Sequence, residues 1–290
     1  QSIFLPWTST FTRSSNTAPS IRGSIFGRLQ TFLVDTSTTR VIVALSLVPK
    51  VKLTNQHPAG WDYMASTQTL VIGRFVTHDI TFYGTTRNSR AVCRVPILVV
   101  TKAVKCPSYN ESTDRGVCPT SKSYVKWTQS LSKFVHLGVG FGRSGSGSDT
   151  PFSTPSHNAF LNVVSINGAN ASSMSTGYTI SSQGVQLGLT PNNTAGAVWT
   201  PLRKLEDSDP RAWALPQVSF TADNSSEPVQ ADALVDTSAT QMYIQSSPQV
   251  ILPNVSVDSA VQHVKTGTKM AFAFPDFDNG VAGYDFVVGD

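Results

Sequence analysis

Two aspartates lie at the centre of the same pentapeptide, LVDTS. The first copy contains Asp35 and the second contains Asp236, 201 positions later (236 − 35). Two carboxylates held a few ångströms apart cannot both ionise easily, so such a pair shares one proton. The ionised member can act as general base on a water molecule, and the protonated member as general acid on the substrate. If the fold brings the two aspartates together, they could hydrolyse a substrate as a carboxylate pair, whereas a single Asp-Thr-Ser is typical of a turn at a strand end.

The segments around both pentapeptides predict strands. LQTFLVDTS and VQADALVDTS each end in a pentapeptide, and the apolar stretches TTRVIVAL and ATQMYI follow them. Further along each half, an apolar run ends in glycine, FVHLG at Gly138 and FVVG at Gly289. The chain therefore reads as two related β units, each with an aspartate at a turn between two strands.

The composition is typical of a folded all-β protein. The 290 residues are 40% hydrophobic and 14% charged, and short Val-, Ile- and Phe-rich runs alternate with Ser, Thr, Gly and Pro. The net charge is +4, but the basic residues form no stripe, so we expect no nucleic-acid partner. The apolar runs are of strand length, so we expect no membrane span.

Metal and cofactor sites are not predicted. The five histidines show no ligand spacing, and the glycine-rich GVGFGRSGSGS lacks the Lys-Ser/Thr of a phosphate loop. His136 lies in an apolar strand, where a satisfied core imidazole is the default expectation.

These motifs resemble the pepsin family of aspartic proteases. In each half, two hydrophobic residues precede Asp-Thr and a small residue, and an apolar-apolar-Gly strand follows downstream. LGVGFGRSG, GVQLGLTPNNTAGAVWTPL, AWALPQVSF and FVVGD are similar to family segments in order and spacing over nearly the whole chain. The resemblance implies a bilobal all-β fold with a cleft between two pseudo-repeated lobes. Residues 1–200 would carry Asp35 and residues 201–290 would carry Asp236.

The resemblance also implies a function, that of a secreted aspartic endopeptidase. Asp35 and Asp236 would be the catalytic pair, acting at acid pH on an extended polypeptide of about six to eight residues in the cleft. Threonine hydroxyls would lock the two loops together through bonds to backbone, and serines would face the carboxylates. These supporting residues are Thr36, Ser37, Thr237 and Ser238.

The chain departs from the family pattern at three places. Ser37 and Ser238 stand where the family has glycine after Asp-Thr, and their side chains either tolerate or occlude the catalytic water. Tyr83 in FYGTT fits the family's flap tyrosine as a substrate-binding residue, but HDITFYG fits equally well the strand after the flap, which leaves Tyr63 or no tyrosine at the tip. Finally, the strands that follow FVVGD in the family would have to be absent, disordered, or supplied by a tail or a second chain.

Two other functions remain open. One is a non-proteolytic member of the fold that binds a protein or a glycan in the cleft. The other is a glycoside hydrolase, since two carboxylates across a cleft also serve glycoside hydrolysis. A separation of about 5 Å or more between the two carboxyl groups would favour a glycosidase or a loss of activity.

The cysteines and acceptor triplets favour an extracellular protein. Cys106 and Cys118 bracket a polar, turn-rich loop and predict a local disulfide, whereas Cys93 has no obvious mate; three reduced thiols are the alternative. N-x-S/T triplets predict glycosylation, and they begin at Asn110, Asn170, Asn192, Asn224 and Asn254.

Overall fold

A computed structural model of the chain describes residues 1–9, 18–64, 67–119, 134–142, 152–205, 209–223, 227–239, 241–244, 252, 254–255 and 263–289. The regular structure in these residues is nearly all β-strand, which confirms the predicted all-β class. The helical segments among them are single turns, at Leu45–Leu47, Glu111–Asp114, Pro155–His157 and Ala159–Leu161. No helix in these ranges is long and apolar enough to cross a membrane.

The chain forms two compact units. The first comprises Gln1–Ala195, Leu205–Ala212 and Val235–Thr240, and the second comprises Gly196–Lys204, Trp213–Leu234 and Gln241–Asp290. The first unit ends its longest segment close to the predicted boundary at residue 200, and it also takes in residues 235–238 of the second pentapeptide, whose Leu234 belongs to the second unit. The division into two lobes at residues 1–200 and 201–290 stays a prediction.

The first unit contains a nine-stranded sheet and a three-stranded sheet. The strands are β1 (Ile3–Pro6), β2 (Ser20–Ile25), β3 (Arg28–Asp35), β4 (Val41–Ala44), β5 (Ala59–Met64), β6 (Thr69–Tyr83), β7 (Arg90–Lys105), β8 (Val135–Gly138), β9 (Val163–Ile166), β10 (Ala169–Asn170), β11 (Ser175–Ile180) and β12 (Gly184–Leu189). The nine strands of the larger sheet follow the order β10-β9-β7-β4-β8-β3-β2-β6-β5, and an additional β6–β7 pairing closes six of them, β7-β4-β8-β3-β2-β6, into a ring. The smaller sheet has the order β1-β12-β11.

Local sequence explains the hairpin that leads to Asp35. Phe26 and Gly27 both have positive φ, 49° and 73°, so a two-residue turn joins Ile25 to Arg28 with the twist that antiparallel strands need. In β2 and β3, buried side chains such as Ile21, Ile25, Phe32 and Val34 alternate with more exposed ones. This alternation fixes the register of β3 and the face on which each of its residues lies.

The core of the first unit lies inside the closed ring. Phe32 and Phe82 meet edge to face at 5.4 Å between ring centroids, and Phe160 packs on Phe82 in the same way at 5.6 Å. All three rings are fully buried. Such packing makes the sheet a rigid support for the residues at the end of β3.

The second unit is built on a four-stranded sheet. Its order is β14-β13-β17-β18. A separate two-stranded sheet, β15–β16, comes between β14 and β17 in the sequence. Val218, Phe220, Met270 and Phe272 form its core. Its strands are β13 (Gln217–Ala222), β14 (Val229–Asp232), β15 (Asn254–Val255), β16 (His263–Val264), β17 (Lys269–Phe274) and β18 (Ala282–Val287).

The predicted disulfide between Cys106 and Cys118 is confirmed. The Cα atoms of the two residues lie 5.9 Å apart, within the usual range for a bridge. Cys93 is a buried free thiol, and burial raises its pKa far above the usual range, so it is chemically inert.

A buried ion pair attaches β5 to the segment between β3 and β4. Arg40 Nη2 lies 3.0 Å from Asp62 Oδ1, and both side chains are less than a tenth exposed.

We expect Asp62→Ala to lower the free energy of unfolding by about 3 kcal/mol, because it removes the carboxylate partner of a buried guanidinium. Urea unfolding measures the loss. The matched control is Asp79→Ala, which breaks the exposed pair of Asp79 and Arg94 and should cost less than about 1 kcal/mol. Equal losses in the two variants would contradict the prediction.

Candidate active site

Asp35 is positioned by two neighbouring strands. It is the last residue of β3, and β3 pairs in parallel with β8 so that Asp35 lies opposite Gly138 and Leu33 lies opposite His136. Val139 N donates to the Asp35 carbonyl at 2.8 Å, which continues this pairing beyond the strands. Asp35 is 4% exposed, so its carboxylate depends on protein groups rather than on bulk water.

Gly138 allows the chain to pass close to the loop that follows Asp35. A Cβ at Gly138 would lie 2.6 Å from Arg40 N, closer than real Cβ contacts. Gly138 N also donates to the Arg40 carbonyl at 2.8 Å. The glycine of the FVHLG motif is therefore required by close backbone approach at this site.

The two aspartates occupy the same kind of turn. In the first loop, residues 35–38, Ser37 N and Ser37 Oγ both donate to Asp35 Oδ1, at 2.6 and 2.7 Å. In the second loop, residues 236–239, Ser238 N and Ser238 Oγ both donate to Asp236 Oδ1 at 2.7 Å. The repeated Asp-Thr-Ser sequence thus makes a repeated local structure, in which the serine two residues on binds one carboxylate oxygen.

Reciprocal hydrogen bonds between described residues join the first loop to the second. Thr36 Oγ1 donates to the Val235 carbonyl at 2.5 Å and accepts from Thr237 N at 3.0 Å. Thr237 Oγ1 donates to the Val34 carbonyl at 2.8 Å and accepts from Thr36 N at 3.3 Å. These are the hydroxyl-to-backbone bonds expected of the two threonines. They bring the two aspartate turns together within the first unit, although a catalytic role for either carboxylate stays a prediction.

The second oxygen of Asp35 contacts two further side chains. His136 Nε2 lies 3.1 Å from Asp35 Oδ2, and Thr38 Oγ1 donates to the same oxygen at 3.3 Å. Thr38 Oγ1 and His136 Nε2 are also hydrogen-bonded, at 2.7 Å. Sequence reasoning expected a satisfied core imidazole at His136, and the group that satisfies it is the candidate catalytic carboxylate. Only the parallel register of β3 with β8 brings His136 to Asp35, so the sequence alone carried no signal for this contact.

These contacts determine the ionisation of Asp35. Burial alone would raise the pKa of this carboxyl. The hydrogen bond and charge of His136, together with the hydrogen bonds from Ser37, outweigh burial and lower the pKa to about 2. Asp35 is therefore a carboxylate at any pH above about 3.

A large pocket lies beside the first loop in the first unit. Its volume is about 1290 Å³. Leu33 and His136 from the β3–β8 pair line one part, Trp7 and Tyr83 line another, and Arg22 and Arg87 contribute positive charge. Because His136 both lines this pocket and contacts Asp35, the pocket leads toward the candidate site.

Residues His78–Tyr83 of the stretch HDITFYG lie in the second half of β6, beyond the part of this strand that pairs with β5. Tyr83 ends that strand, and its hydroxyl donates to Ser24 Oγ at 3.1 Å. Tyr63 lies in β5 near the hairpin turn, and its hydroxyl donates to the Cys106 carbonyl at 3.0 Å. The placement of HDITFYG matches the alternative interpretation, and the identity of a flap tyrosine stays a prediction.

The segments around the second loop differ from the expectation of two flanking strands. β14 ends at Asp232, four residues before Asp236, and residues 241–244 of ATQMYI form no strand. Leu234, Val235, Met242 and Tyr243 are all exposed, so these apolar residues have no sheet face to bury against. The predicted strand before Asp236 is therefore present but shorter than its sequence indicated, and residues 241–244 of the predicted strand after it form no strand.

The remaining predicted sites lie on the surface where the structure describes them. Asn110, Asn170 and Asn192 are exposed. The side chain of Asn254 and the whole of Asn224 lie outside the part of the chain that the structure describes. Within the described ranges, no group of three or more His, Cys, Asp or Glu side chains is arranged to bind a metal ion.

No protein-family model matches the chain, and no curated protein matches it in sequence. Among solved structures, the chain is similar to the aspartic proteinase from Irpex lacteus. The sequences are 13% identical, the match covers 99% of this chain and 79% of that one, and the TM-score is 0.48. A similarity of this size says nothing about activity or substrate.

We expect Thr36→Val and Thr237→Val each to lower the free energy of unfolding of the first unit by about 1–2 kcal/mol. Each substitution removes a donated and an accepted hydrogen bond at a half-buried position. The double variant should lose less than the sum of the two, because both changes break the same reciprocal bonds. Urea unfolding of the four proteins measures the coupling. Thr77→Val, on an exposed position of β6, is the control, and fully additive losses would argue against a shared interaction.

Asp35 should make stability depend on acid pH. Its folded pKa of about 2 lies below the ordinary value of 3.8, so ionised Asp35 stabilises the fold above about pH 4. That contribution, about 2 kcal/mol, is lost as the pH falls through 2. The free energy of unfolding, measured between pH 5 and pH 2, should therefore fall by about that much more in the natural chain than in Asp35→Asn. Parallel pH curves for the two proteins would show that the carboxylate is not held in this way.

Proposed function

We propose that the protein is an aspartic endopeptidase in which Asp35 and Asp236 act together on a bound water molecule. The observation that carries the proposal is the reciprocal bonding of Thr36 and Thr237, which brings together two identical Asp-Thr-Ser turns from distant parts of the chain. Two turns that each present a carboxylate and are tied in this way are suited to share a proton and a water.

The proposed reaction adds water across a peptide bond. The ionised aspartate takes a proton from the water as the oxygen attacks the carbonyl carbon, and the protonated aspartate gives its proton to the carbonyl oxygen. The resulting diol then collapses. The C–N bond breaks, the amine nitrogen takes the proton held by the first aspartate, and a diol hydroxyl returns a proton to the second. The pair ends in its starting state, and no covalent intermediate forms.

We propose that the substrate is an extended polypeptide that places a side chain in the pocket beside the first loop. Leu33 and Trp7 offer apolar surface for such a side chain, and Leu33 lies on β3, two residues before Asp35. Secretion is part of the proposal, since the Cys106–Cys118 bridge and the exposed Asn110 and Asn170 triplets suit an oxidising compartment.

A second candidate function is binding without proteolysis. Ser37 and Ser238 place hydroxyls on the carboxylates where the family has glycine, and His136 and Thr38 contact the remaining oxygen of Asp35. If these groups exclude the water, the pocket would serve to bind a protein or a glycan.

Cleavage of a denatured protein substrate between pH 3 and pH 7 distinguishes the two functions. We expect cleavage that a statine-type transition-state analogue inhibits. Asp35→Asn and Asp236→Asn should each lower the rate on the order of a thousand-fold, because each removes one half of the acid–base pair. Asp79→Asn, which changes an exposed carboxylate on β6, is the matched control and should retain the natural rate.

The absence of cleavage at every pH by a chain with a cooperative unfolding transition would overturn the protease proposal. Cleavage that survives both aspartate substitutions would do the same. In the first case, binding of glycans and of folded proteins would be measured next, with Ser37→Gly/Ser238→Gly tested for a gain of proteolysis.

A further inference from the structure

The outer face of three neighbouring strands forms the floor of the pocket beside the first loop. Across β2 and β3, Ser20 pairs with Leu33 and Arg22 pairs with Thr31, and across β3 and β8 Leu33 pairs with His136. All five of these residues line the pocket. The residue that follows each of them in the sequence is buried. Because successive side chains of a strand point to opposite faces, the pocket lies on the side of the sheet away from the core.

Two further segments of the first unit border this floor. Trp7, just after β1, lines the pocket, and its indole Nε1 donates to the Ser181 carbonyl at 2.9 Å. The turn between β6 and β7 also lines it, and this turn is closed by Gly84 N, which donates to the Ser89 carbonyl at 2.8 Å. Both segments are therefore fixed by bonds within the protein, so that the pocket exists without a ligand.

Two arginines give the pocket positive charge. Arg22 from β2 and Arg87 from the turn between β6 and β7 line it, and no Asp or Glu stands among the described residues that do so. Both arginines are exposed, and neither forms an ion pair within the described part of the chain. Other arginines of the first unit are paired with aspartates, namely Arg40, Arg94 and Arg211. The pocket therefore presents two positive charges that no described protein group neutralises.

We propose that this pocket binds a polypeptide segment that carries an acidic side chain, and that Arg22 and Arg87 select the segment by binding its carboxylate. Acidic polypeptides are then the substrate class of the proposed endopeptidase, and this consequence rests on the proposed function. Binding of an acidic segment does not itself require cleavage, so it can be measured separately.

Charge explains the selection. A guanidinium can donate two parallel N–H···O bonds to one carboxylate, and such charge-assisted bonds are stronger than neutral ones. A basic side chain would be repelled by Arg22 and Arg87, and a neutral one would leave both charges to water. His136 also lines the pocket, but its Nε2 already contacts Asp35 and Thr38. The two arginines therefore determine which charge the pocket accepts.

Shape and position favour a polypeptide over a small anion. The pocket has a volume of about 1290 Å³, more than one side chain fills, and Trp7 and Leu33 give it apolar surface. Leu33 lies two residues before Asp35 on β3. A chain of several residues would cover this surface and would pass toward the aspartate turn, whereas a free anion would use the arginines alone.

Equilibrium binding to the full chain tests the selection. The probes are fluorescein-labelled peptides of equal length that differ only at their central positions, which are Glu, Gln or Lys. Fluorescence anisotropy at about pH 6, where glutamate is ionised, measures each Kd on the natural chain and on Asp236→Asn. We expect the Glu peptide to bind about ten-fold more tightly than the Gln peptide and the Lys peptide to bind most weakly. Added NaCl at about 0.5 M should remove most of the difference.

Variants separate the charge of the pocket from the net charge of the protein, which is +4. Arg22→Gln/Arg87→Gln should bind the Glu and Gln peptides equally, whereas Arg22→Lys/Arg87→Lys keeps the charge without the planar fork and should keep part of the preference. The matched control is Arg115→Gln/Arg203→Gln, which removes two exposed arginines that do not line the pocket and should leave the preference unchanged. Thermal unfolding followed by circular dichroism confirms that each variant is folded.

Charge reversal gives the opposite preference to test. Arg22→Glu/Arg87→Glu should bind the Lys peptide more tightly than the Glu peptide. If the natural chain cleaves these peptides, its preference for Glu should appear in kcat/KM through KM, because the arginines bind the substrate away from the reacting atoms.

The proposal is overturned if the natural chain binds the three peptides equally, or if Arg115→Gln/Arg203→Gln loses the preference as fully as Arg22→Gln/Arg87→Gln. Tighter binding of an acidic oligosaccharide than of the Glu peptide would also overturn it. A preference for Glu that disappears only in the pocket variants supports it even when the chain cleaves nothing, and in that case the failure belongs to the proposed protease function alone.

Discussion

The candidate site depends on the reciprocal hydrogen bonds between Thr36 and Thr237. The two threonines are 201 positions apart, and each hydroxyl donates to a backbone carbonyl of the other loop while accepting from a backbone N–H. This arrangement satisfies polar groups that would otherwise be left without partners in half-buried positions. It also ties residues 235–237 to the first loop, and both segments belong to the first unit.

Within this frame, the two carboxylates have different electrostatic environments. Burial of Asp35 would favour its neutral form, but His136 and the Ser37 donors reverse that preference and keep it ionised. Asp236 is less buried, and in the described part of the chain its carboxylate accepts from Ser238 N and Ser238 Oγ. Two turns with one sequence therefore have different surroundings.

Much of the fold and part of the site followed from the sequence. The apolar segment LQTFLVDTS predicted β3, the FVHLG motif predicted β8, and the spacing of Cys106 and Cys118 predicted the disulfide. Each of these features depends on local sequence pattern. His136 could not be recognised as a partner of Asp35, since 101 positions (136 − 35) separate them and only the parallel register brings them together. Around Asp236, the strand predicted in VQADALVDTS ends early, at Asp232, and residues 241–244 of ATQMYI form no strand, for a related reason. Leu234, Val235 and Met242 have an apolar pattern but no sheet face to cover them, and burial rather than pattern determines a strand.

The pentapeptide and its surroundings therefore encode different properties. LVDTS specifies a turn in which a serine binds one carboxylate oxygen and a threonine reaches across to the other copy, and this is the same in both places. The residues just outside it differ between the copies, and in the first copy Thr38 and His136 contact the second oxygen of Asp35. The duplicated sequence therefore repeats a local turn, whereas the contacts that the sheet brings to Asp35 hold its pKa below the ordinary value.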